Sequence, residues 1–248
     1  LSIPQIIVPD TRLALGFVAD KFYGSPSKSL HVIGVTGTNG KTTTAMVLHA
    51  ILNRAGHRTA FIGTVGIKIG EQMEPATLTT PESLELHELF ARMVHDGASH
   101  VVMEVSSHAL ALKRVAHVTF QAGIFTNLTH EHLDFHKSME EYLNAKLKLF
   151  DAVQDQPGQP AFAVLNRDDA RFEKIKSRVR IPVVSYGTSN GADIRADNIR
   201  MDETKLHFDL ILGKEKIEIL STLGGLFNVS NILAAVATAN RLGVSPED

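Results

Sequence analysis

The chain has 248 residues, of which 44% are apolar and 21% are charged, and its formal net charge at pH 7 is −2. This balance is typical of a soluble globular protein, excludes collagen-like, low-complexity and largely disordered classes, and gives no reason to expect binding to nucleic acid or an anionic membrane. No apolar run approaches the roughly 20 residues that cross a bilayer, and without cysteine there is no disulfide or thiolate chemistry. We therefore expect a cytoplasmic protein with no nucleic-acid and no membrane partner.

Apolar segments typical of short strands alternate with helical segments over most of the chain. The predicted strands cover residues 32–35, 101–105, 123–126, 162–165 and 183–186. The predicted helices cover residues 42–55, 80–97, 139–150, a charged stretch after residue 169, and 228–242. This alternation predicts an α/β fold with a doubly wound, mostly parallel sheet of the P-loop NTPase type, in which ligands bind beyond the carboxyl ends of the strands.

After Gly187 the apolar period changes from that of buried strands and helices to strict alternation. Leu206, Phe208 and Leu210 alternate with polar residues, and a turn at Gly213 precedes a second alternating run. This pattern predicts a small antiparallel appendix to the parallel sheet.

Two helix starts are marked by capping residues. Thr80 and Pro81 supply an N-cap and a proline in the first turn, while Ser138 and Glu141 have the spacing of a capping box. We expect three parts along the chain: residues 1–30 as the end of a preceding domain, residues 31–242 as a central nucleotide-binding domain, and residues 243–248 as the start of a linker to a further domain.

The segment that we call the phosphate loop, residues 34–42, joins the first strand to the first helix and reads GVTGTNGKT. Its glycines allow backbone N–H groups to face an anion, and the helix N-terminus adds a positive dipole end. Lys41 can reach the β- and γ-phosphates, and the Thr42 hydroxyl can bind Mg²⁺. The loop is a variant, because Val35 stands where the strict pattern has its first glycine. The alternative is a tight turn with an incidental Lys-Thr pair, but the position between strand and helix favours nucleotide binding.

Acidic and histidine side chains follow two further strands. Glu104 ends an apolar strand, where a carboxylate can hold Mg²⁺, although a surface glutamate is the alternative. His130, His132, Asp134 and His136 alternate, so all four would share a face in an extended segment, whereas only one or two would converge in a loop. No second ligand group stands at zinc-like spacing, which favours a Mg²⁺ nucleotide site over a zinc site.

Lys146 has an unusual position in the helix predicted over residues 139–150. At 100° per residue it lies near the centre of the apolar arc, whereas Asn144 and Lys148 lie on the opposite face. Burial shifts the pKa of such a lysine down by as much as about 3–5 units, so Lys146 should be neutral, paired or modified. A neutral amine can take up CO₂ to form a carbamate, which is an oxygen ligand for Mg²⁺. The alternative is that its stem lies on apolar surface with the ammonium group in water.

Three of these segments together resemble a known enzyme family. Residues 37–43 (GTNGKTT), 104–108 (EVSSH) and 126–134 (TNLTHEHLD) resemble the ATP-dependent Mur ligases of peptidoglycan synthesis. Within the family the chain looks most like the MurE type, which adds the third stem-peptide residue to UDP-N-acetylmuramoyl-L-alanyl-D-glutamate. The likeness extends over nearly the whole chain, including residues 10–12, 22–24 and 227–231.

The resemblance implies a role for each matching residue. The ATP-binding residues would be Gly37, Thr38, Asn39, Gly40, Lys41, Thr42, Thr43, Asn166 and Asn228, with Asp169 and Asn231 beside them. The residues that hold two Mg²⁺ ions would be Thr42, Glu104, His132 and Lys146 as a CO₂-derived carbamate, and the catalytic set would be Lys41, Glu104, His132 and Lys146. The residues that contact the UDP-linked substrate would be Thr79, Thr80, Ser106 and Arg114. Leu112 departs from the pattern, because some members carry glutamine there.

The activity that the resemblance implies is ATP-dependent amide-bond formation through an acyl phosphate. The partners would be UDP-N-acetylmuramoyl-L-alanyl-D-glutamate and an amino acid, which the sequence leaves open between lysine, diaminopimelate and another, and we expect a monomer. A folylpolyglutamate synthetase-like ligase and a small-molecule kinase are the alternatives. A third hypothesis is a binding module that holds Mg-ATP weakly and turns over little without the family's other two domains.

Overall fold

The fold is known from a computed structural model, which describes residues 5–131, 133–155 and 160–245. The strands are β1 (His31–Thr36), β2 (Thr59–Gly63), β3 (Gly66–Ile69), β4 (Gln72–Glu74), β5 (His100–Glu104), β6 (Ala122–Phe125), β7 (Phe162–Asn166), β8 (Val183–Gly187), β9 (Ile194–Met201), β10 (Leu206–Leu212) and β11 (Glu215–Ser221). The helices are α1 (Thr11–Phe22), α2 (Lys41–Arg54), α3 (Ser83–His95), α4 (Ser107–Ala111), α5 (Leu133–His136), α6 (Met139–Asp151), α7 (Phe172–Lys176) and α8 (Phe227–Arg241), with a short 3₁₀ turn at Pro26–Ser29.

All the described strands belong to one 11-stranded sheet in the order β11-β10-β9-β8-β7-β6-β1-β5-β2-β3-β4. The strands from β9 to β2 in this order run parallel. Antiparallel pairs extend both edges, with β10 and β11 at one edge and β3 and β4 at the other. The predicted fold class, a mostly parallel sheet with a small antiparallel appendix, is confirmed.

Helices cover both faces of the sheet, so β1 is apolar on both sides. Ile33 and Val35 pack with α2 and α8 on one face, whereas Val32 packs with α3 on the other. The helix α6 covers β6 and β7 on the same side as α3, through Leu149 and Tyr142. This double layer buries the central strands and leaves their carboxyl ends as the accessible edge for a ligand. None of the described helices has the length and hydropathy needed to cross a membrane.

The sequence patterns placed most central elements correctly but missed the strands near the edges. Strands β2, β3, β4 and β9 were not predicted, because glycines such as Gly63 and Gly66 interrupt the first group and β9 is largely polar. The predicted N-cap at Ser138 is confirmed by its acceptance of a hydrogen bond from the Glu141 N–H at 3.1 Å. The predicted N-cap at Thr80 is wrong. The helix α3 begins at Ser83, and the Thr80 hydroxyl accepts from the Ser106 N–H instead of from an N–H of α3, while it donates to the Glu104 carbonyl.

Candidate active site at the carboxyl edge of the sheet

Four neighbouring parallel strands, β7, β6, β1 and β5, end in polar segments at one edge of the sheet. The strand register places Val35 beside Glu104 and Thr36 beside Phe125, so the phosphate loop lies between Glu104 on one side and Thr126 on the other. The fold therefore brings together the segments that the sequence analysis had selected from distant parts of the chain.

Backbone and side-chain hydrogen bonds fix the phosphate loop to the segment that follows β6. The Thr38 N–H donates to the Asn127 carbonyl at 2.9 Å, and the Asn39 N–H donates to the Asn127 side-chain oxygen at 2.9 Å. The Thr126 hydroxyl donates to the Asn39 carbonyl at 2.6 Å. The loop is held from outside, so its backbone shape does not depend on the loop sequence alone.

Two glycines in the loop could not be replaced by larger residues without strain. Gly37 and Gly40 have φ angles of 149° and 83°, and a Cβ on either would overlap a side-chain oxygen, of Thr126 and Asn231 respectively. Such glycines let backbone approach a ligand closely. Together with the N-terminus of α2, which begins at Lys41, they form a cradle suited to phosphate.

The start of α8 lies beside this cradle and carries two asparagines. The Asn231 amide donates to the Asn228 side-chain oxygen at 2.9 Å, and Asn231 also accepts from the Thr44 hydroxyl at 3.5 Å. A cavity of about 520 Å³ opens here, lined by Asn39, Gly40, Thr43, Asn127, Phe227, Ser230 and Asn231. The structure thus brings Asn228 and Asn231 close to the phosphate loop, and their contact with a nucleotide stays a prediction.

Two lysines converge on a single carbonyl group of the loop. The Lys41 Nζ donates to the carbonyls of Thr38 and Gly37 at 2.8 and 3.1 Å, and the Lys146 Nζ donates to the Gly37 carbonyl at 2.7 Å. Neither lysine has a carboxylate ion-pair partner among the described residues. Two lysine side chains held by neutral carbonyl oxygens leave the charge of Lys41 unpaired among the described residues, which suits a site where a polyanion is to bind.

Burial changes the acid–base behaviour of both lysines. Desolvation lowers the pKa of Lys41. Lys146 is 1% exposed, and desolvation, with a smaller contribution from the charge of Lys41, lowers its pKa to about 6. Its Nζ also lies 4.2 Å from the centre of the Tyr142 ring. The predicted burial of Lys146 is confirmed, and its alternative, an ammonium group in water, is wrong because α6 packs that face against the loop.

The carboxylate of Glu104 is buried next to the first turn of α2. The Thr42 hydroxyl donates to Glu104 Oε2 at 3.0 Å, and the Thr64 N–H donates to Oε1 at 2.9 Å. A Cβ on Gly63 would overlap Glu104 Oε1, so the strand β2 is shaped to leave room for this side chain. A hydroxyl and a carboxylate oxygen side by side are the ligand chemistry that Mg²⁺ prefers, and this donor set fits the predicted metal site.

The alternating histidine segment does not present one shared face. His130 and Asp134 are exposed, whereas His136 is 4% exposed, with its Nε2 2.8 Å from the Ser107 hydroxyl and its ring stacked on Tyr142. The reason is that residues 133–136 form a helical turn, α5, and not an extended strand. His132 lies outside the described residues, and within them no group of three or more His, Asp or Glu side chains could hold a metal ion.

Tyr142, for which the sequence predicts no role, lies between these groups. Its hydroxyl is 3.2 Å from the Thr38 hydroxyl, so one ring contacts the phosphate loop, His136 and Lys146. Only its place on the apolar arc of α6, one turn before Lys146, could have indicated it.

The predicted substrate residues gather next to Glu104. The Thr79 hydroxyl is 3.0 Å from that of Thr64, and Arg114 Nη1 donates to the Thr80 carbonyl at 3.3 Å. The Ser106 N–H donates to the Thr80 hydroxyl at 3.0 Å. Thr80 is fully buried and its hydroxyl both donates and accepts within the protein, so the structure gives it an internal role. Its contact with a substrate stays a prediction.

Two residues predicted to bind the nucleotide, Asn166 at the end of β7 and Asp169 just after it, support the segment that follows β6. Asn166 donates to the Thr126 carbonyl at 2.7 Å, and Asp169 accepts from the Leu128 N–H at 2.9 Å. Both side chains brace the segment that holds the phosphate loop, and their contact with a nucleotide stays a prediction.

A glycine-rich cradle with a partly buried and a buried lysine, at the carboxyl edge of a doubly wound sheet, defines a nucleotide-binding α/β domain. The Mur ligase middle domain family matches residues 35–239, and the chain belongs to this family. The predicted family resemblance is confirmed.

Curated relatives and solved structures match nearly the whole length of this chain. The UDP-N-acetylmuramoyl-L-alanyl-D-glutamate--2,6-diaminopimelate ligase of Geobacillus thermodenitrificans is 44% identical over 99% of this chain, which covers 50% of the relative. A solved structure of a ligase with the same name matches with a TM-score of 0.86 at 28% identity, covering 97% of this chain and 49% of its own. The MurF ligase of Thermotoga maritima, solved in complex with ADP, shares the fold with a TM-score of 0.74 at 19% identity, over 99% of this chain and 53% of its own. The chain thus spans about half the length of the curated relatives it matches.

Proposed function

We propose that this chain is the central, ATP-binding part of a ligase that adds diaminopimelate to UDP-N-acetylmuramoyl-L-alanyl-D-glutamate. The observation that carries the proposal is that the partly buried Lys41 and the buried Lys146 both donate to the Gly37 carbonyl of the phosphate loop, beside the Thr42–Glu104 pair. The choice of diaminopimelate, which the sequence left open, is supported by the activity for which the 44%-identical relative is named.

The proposed reaction has two steps. A carboxylate oxygen of the UDP-linked dipeptide attacks the γ-phosphorus of ATP, and the bond between that phosphorus and the bridging oxygen of the β-phosphate breaks. ADP departs, and the dipeptide becomes an acyl phosphate. The amine of the incoming amino acid then attacks the acyl carbon, phosphate leaves, and the amine gives up a proton. Two anions must approach in the first step, so positive charge at the phosphate loop lowers the barrier.

Lys41 supplies part of that charge. Its Nζ rests on the Thr38 and Gly37 carbonyls, within the loop whose N–H groups would face the phosphates. Because burial weakens its solvation, the ammonium group would interact with a phosphate oxygen more strongly than a lysine in water would. We assign Lys41 to the β- and γ-phosphates.

Thr42, Glu104 and His132 are the residues that we propose hold Mg²⁺, a cation that would neutralise charge on the phosphates. Glu104 is positioned for this by the Thr64 N–H, which binds its other oxygen. The Thr42 hydroxyl donates to Glu104 in the structure and would offer its oxygen lone pairs to a cation.

Lys146 is the residue that we propose is carbamylated. A neutral Nζ would attack CO₂, forming an N–C bond and losing a proton, and the product is a carbamate anion in place of an amine. The low pKa of Lys146, about 6, keeps the amine neutral at pH 7, which the reaction requires. The carbamate oxygens would join Thr42 and Glu104 in binding the cations.

Two measurements test the proposal. A crystallographic map or native mass spectrum should show about 44 Da, the mass of CO₂, added at Lys146. The full-length ligase should release phosphate only when ATP, the UDP-linked dipeptide and diaminopimelate are all present. A stable phosphorylated acceptor formed without the amine would instead support the small-molecule kinase. An unmodified, protonated Lys146 would contradict the proposed carbamylation.

The chain alone should bind Mg-ATP weakly and turn over little. A site that depends on further domains for closure is incomplete without them, and the chain covers about half of its relatives. Ligation by this chain at the rate of the full-length protein would contradict this. The domain limits at residues 1–30, 31–242 and 243–248, the monomeric state and the cytoplasmic location stay predictions.

A further inference from the structure

The carboxylate of Glu82, which is not among the predicted site residues, lies between two arginines next to the predicted substrate residues. Glu82 Oε1 lies 2.8 Å from Arg114 Nε, and Glu82 Oε2 lies 3.3 Å from Arg12 Nη1. The Arg114 side chain is only 14% exposed, whereas those of Glu82 and Arg12 are 43% and 50% exposed. Arg114 is therefore the inner member of an Arg12–Glu82–Arg114 row that runs from the surface to the substrate residues.

The side chain of Glu82 does not cap the helix it precedes, although its backbone carbonyl accepts from the Leu86 N–H at 2.9 Å. It occupies the N-cap position of α3, where a side chain could accept from a free helix N–H, yet it makes no such bond. Its carboxylate points instead towards the two guanidinium groups. Because the local helical role is unused, the contact with Arg114 needs a different explanation.

The row is also tied to main-chain carbonyls on both sides of Arg114. Arg114 Nη1 donates to the carbonyl of Thr80, and Arg12 Nη1 donates to the carbonyl of Leu112, each at 3.3 Å. The Arg114 Nε–H does not point at Glu82 Oε1, so that contact is an ion pair and not an aligned hydrogen bond. Arg114 Nη2 makes no hydrogen bond or ion pair within the described part of the chain, which leaves it available to an anion.

The start of α1 reinforces the same segment. Asp10 caps α1 by accepting from the Leu13 N–H at 2.9 Å, and it also forms an ion pair with Lys113. Lys113 has a φ of 59°, a left-handed conformation that is uncommon for residues other than glycine. The backbone immediately before Arg114 is thus held in a specific conformation by a residue from the N-terminal helix.

We infer that Glu82 is a positioning residue that orients the Arg114 guanidinium towards the anionic dipeptide, with Arg12 holding Glu82 in turn. The inference rests on the proposed function of Arg114 in substrate binding. One carboxylate between two guanidinium groups leaves a net positive charge, so the row still attracts an anion. Without Glu82, the long arginine side chain would have to be ordered by the substrate, at the expense of affinity.

The first test concerns the free protein and needs no substrate. The ¹⁵N relaxation of the Arg114 Nε–H group should show a rigid side chain in the 248-residue chain and a mobile one in Glu82→Gln. Glu85→Gln is the matched control, because Glu85 is an exposed acid in the first turn of α3. Exposed Arg180 supplies the reference for a mobile arginine. An Arg114 that is as mobile as Arg180 in the unmodified chain, or unchanged in Glu82→Gln, would overturn the inference.

The second test uses steady-state kinetics of the full-length ligase. Glu82→Gln should raise KM for the UDP-linked dipeptide about tenfold, equivalent to about 1.4 kcal/mol, while KM for ATP and the melting temperature stay unchanged. In an Arg114→Ala background the same substitution should have no further effect on that KM, because Glu82 acts through Arg114.

The possible results separate the two proposals. A decrease in KM would mean that Glu82 only repels the substrate, and an equal increase in the Arg114→Ala background would mean a general structural role; either contradicts the inference. If the unmodified full-length protein fails to ligate this dipeptide, the proposed function fails, while the relaxation experiment still decides whether Glu82 orders Arg114.

Discussion

Charged residues at the phosphate loop and on the β10–β11 hairpin are arranged in opposite ways. On the hairpin, Lys216 lies 2.8 Å from Asp209, and its side chain is 60% exposed. At the loop, Lys146 is 1% exposed and rests on a neutral carbonyl. The carboxylate Asp209 raises the pKa of Lys216, whereas burial lowers the pKa of Lys146.

This difference in burial and charge pairing indicates where a ligand is to be expected. Exposed ion pairs contribute little to stability and are common on protein surfaces. A buried cation without an opposite charge lowers stability, so it is retained where it meets a charge that the protein itself does not supply. On this basis the hairpin charges are surface features, whereas the proposed anion site lies at the phosphate loop beside Lys41, with Lys146 as a neutral amine until it is carbamylated.

The largest effect expected from this comparison concerns catalysis. Lys41→Met should reduce ligation by the full-length enzyme about 10²–10³-fold, because it removes one charged donor from the phosphates. Lys216→Met makes the same chemical change on the hairpin and should leave the rate unchanged. Initial rates of phosphate release at saturating substrates measure both. Similar rates for the two variants would show that the position of Lys41 on the loop carbonyls does not mark a functional cation.

The second prediction concerns stability. In CO₂-free buffer at pH 7, Lys146→Met should increase the free energy of unfolding of the chain by about 1–4 kcal/mol, since an apolar side chain suits the buried position better. Lys216→Met on the exposed hairpin should produce no measurable change.

The pH dependence gives this second prediction a sign. The folded-state pKa of Lys146, about 6, lies below its ordinary value of 10.5, so the unfolded chain binds more protons between these values. Stability of the unmodified chain should therefore rise with pH across this window, and the rise should be smaller in Lys146→Met. Chemical denaturation at several pH values measures it, and identical pH slopes in both proteins would contradict the prediction.

The parts of the site that sequence could predict are those encoded in neighbouring residues. The apolar period of α6 predicts the burial of Lys146, because a helix places residues at 100° intervals whatever lies around it. The strand–loop–helix order around Lys41 likewise predicts a phosphate cradle at the edge of the sheet.

The parts that sequence could not predict depend on contacts between distant segments. Thr80 has the local pattern of an N-cap, but its hydroxyl accepts from the Ser106 N–H and donates to the Glu104 carbonyl, two partners that only the folded sheet brings near. His136 turns inward because Ser107 and Tyr142 lie there. The Glu82–Arg114 pair joins the start of α3 to the segment after α4, and its spacing follows no helix or strand period.

The smallest predicted effect comes from the amino ends of the parallel strands, opposite the phosphate loop. Titratable histidines lie buried or half-buried there. His31 and His100 begin β1 and β5 in register, and the His57 ring lies 4.5 Å from that of His100. Burial, and then the neighbouring His31 and His57, lower the pKa of His100 from 6.5 to about 3. The unfolded chain therefore binds the proton first as the pH falls.

Lowering the pH from 6.5 to 5.5 should thus cost about 1 kcal/mol of stability through His100, a contribution that is fully present only above pH 6.5. His100→Phe keeps an aromatic ring in the row and should reduce this loss, whereas His95→Phe, at an exposed position, should not. Denaturant midpoints at the two pH values measure the difference. Equal acid sensitivity of the unmodified chain and His100→Phe would show that His100 accepts a proton in the folded state. Burial would then have little effect on the pKa of His100, unlike that of Lys146.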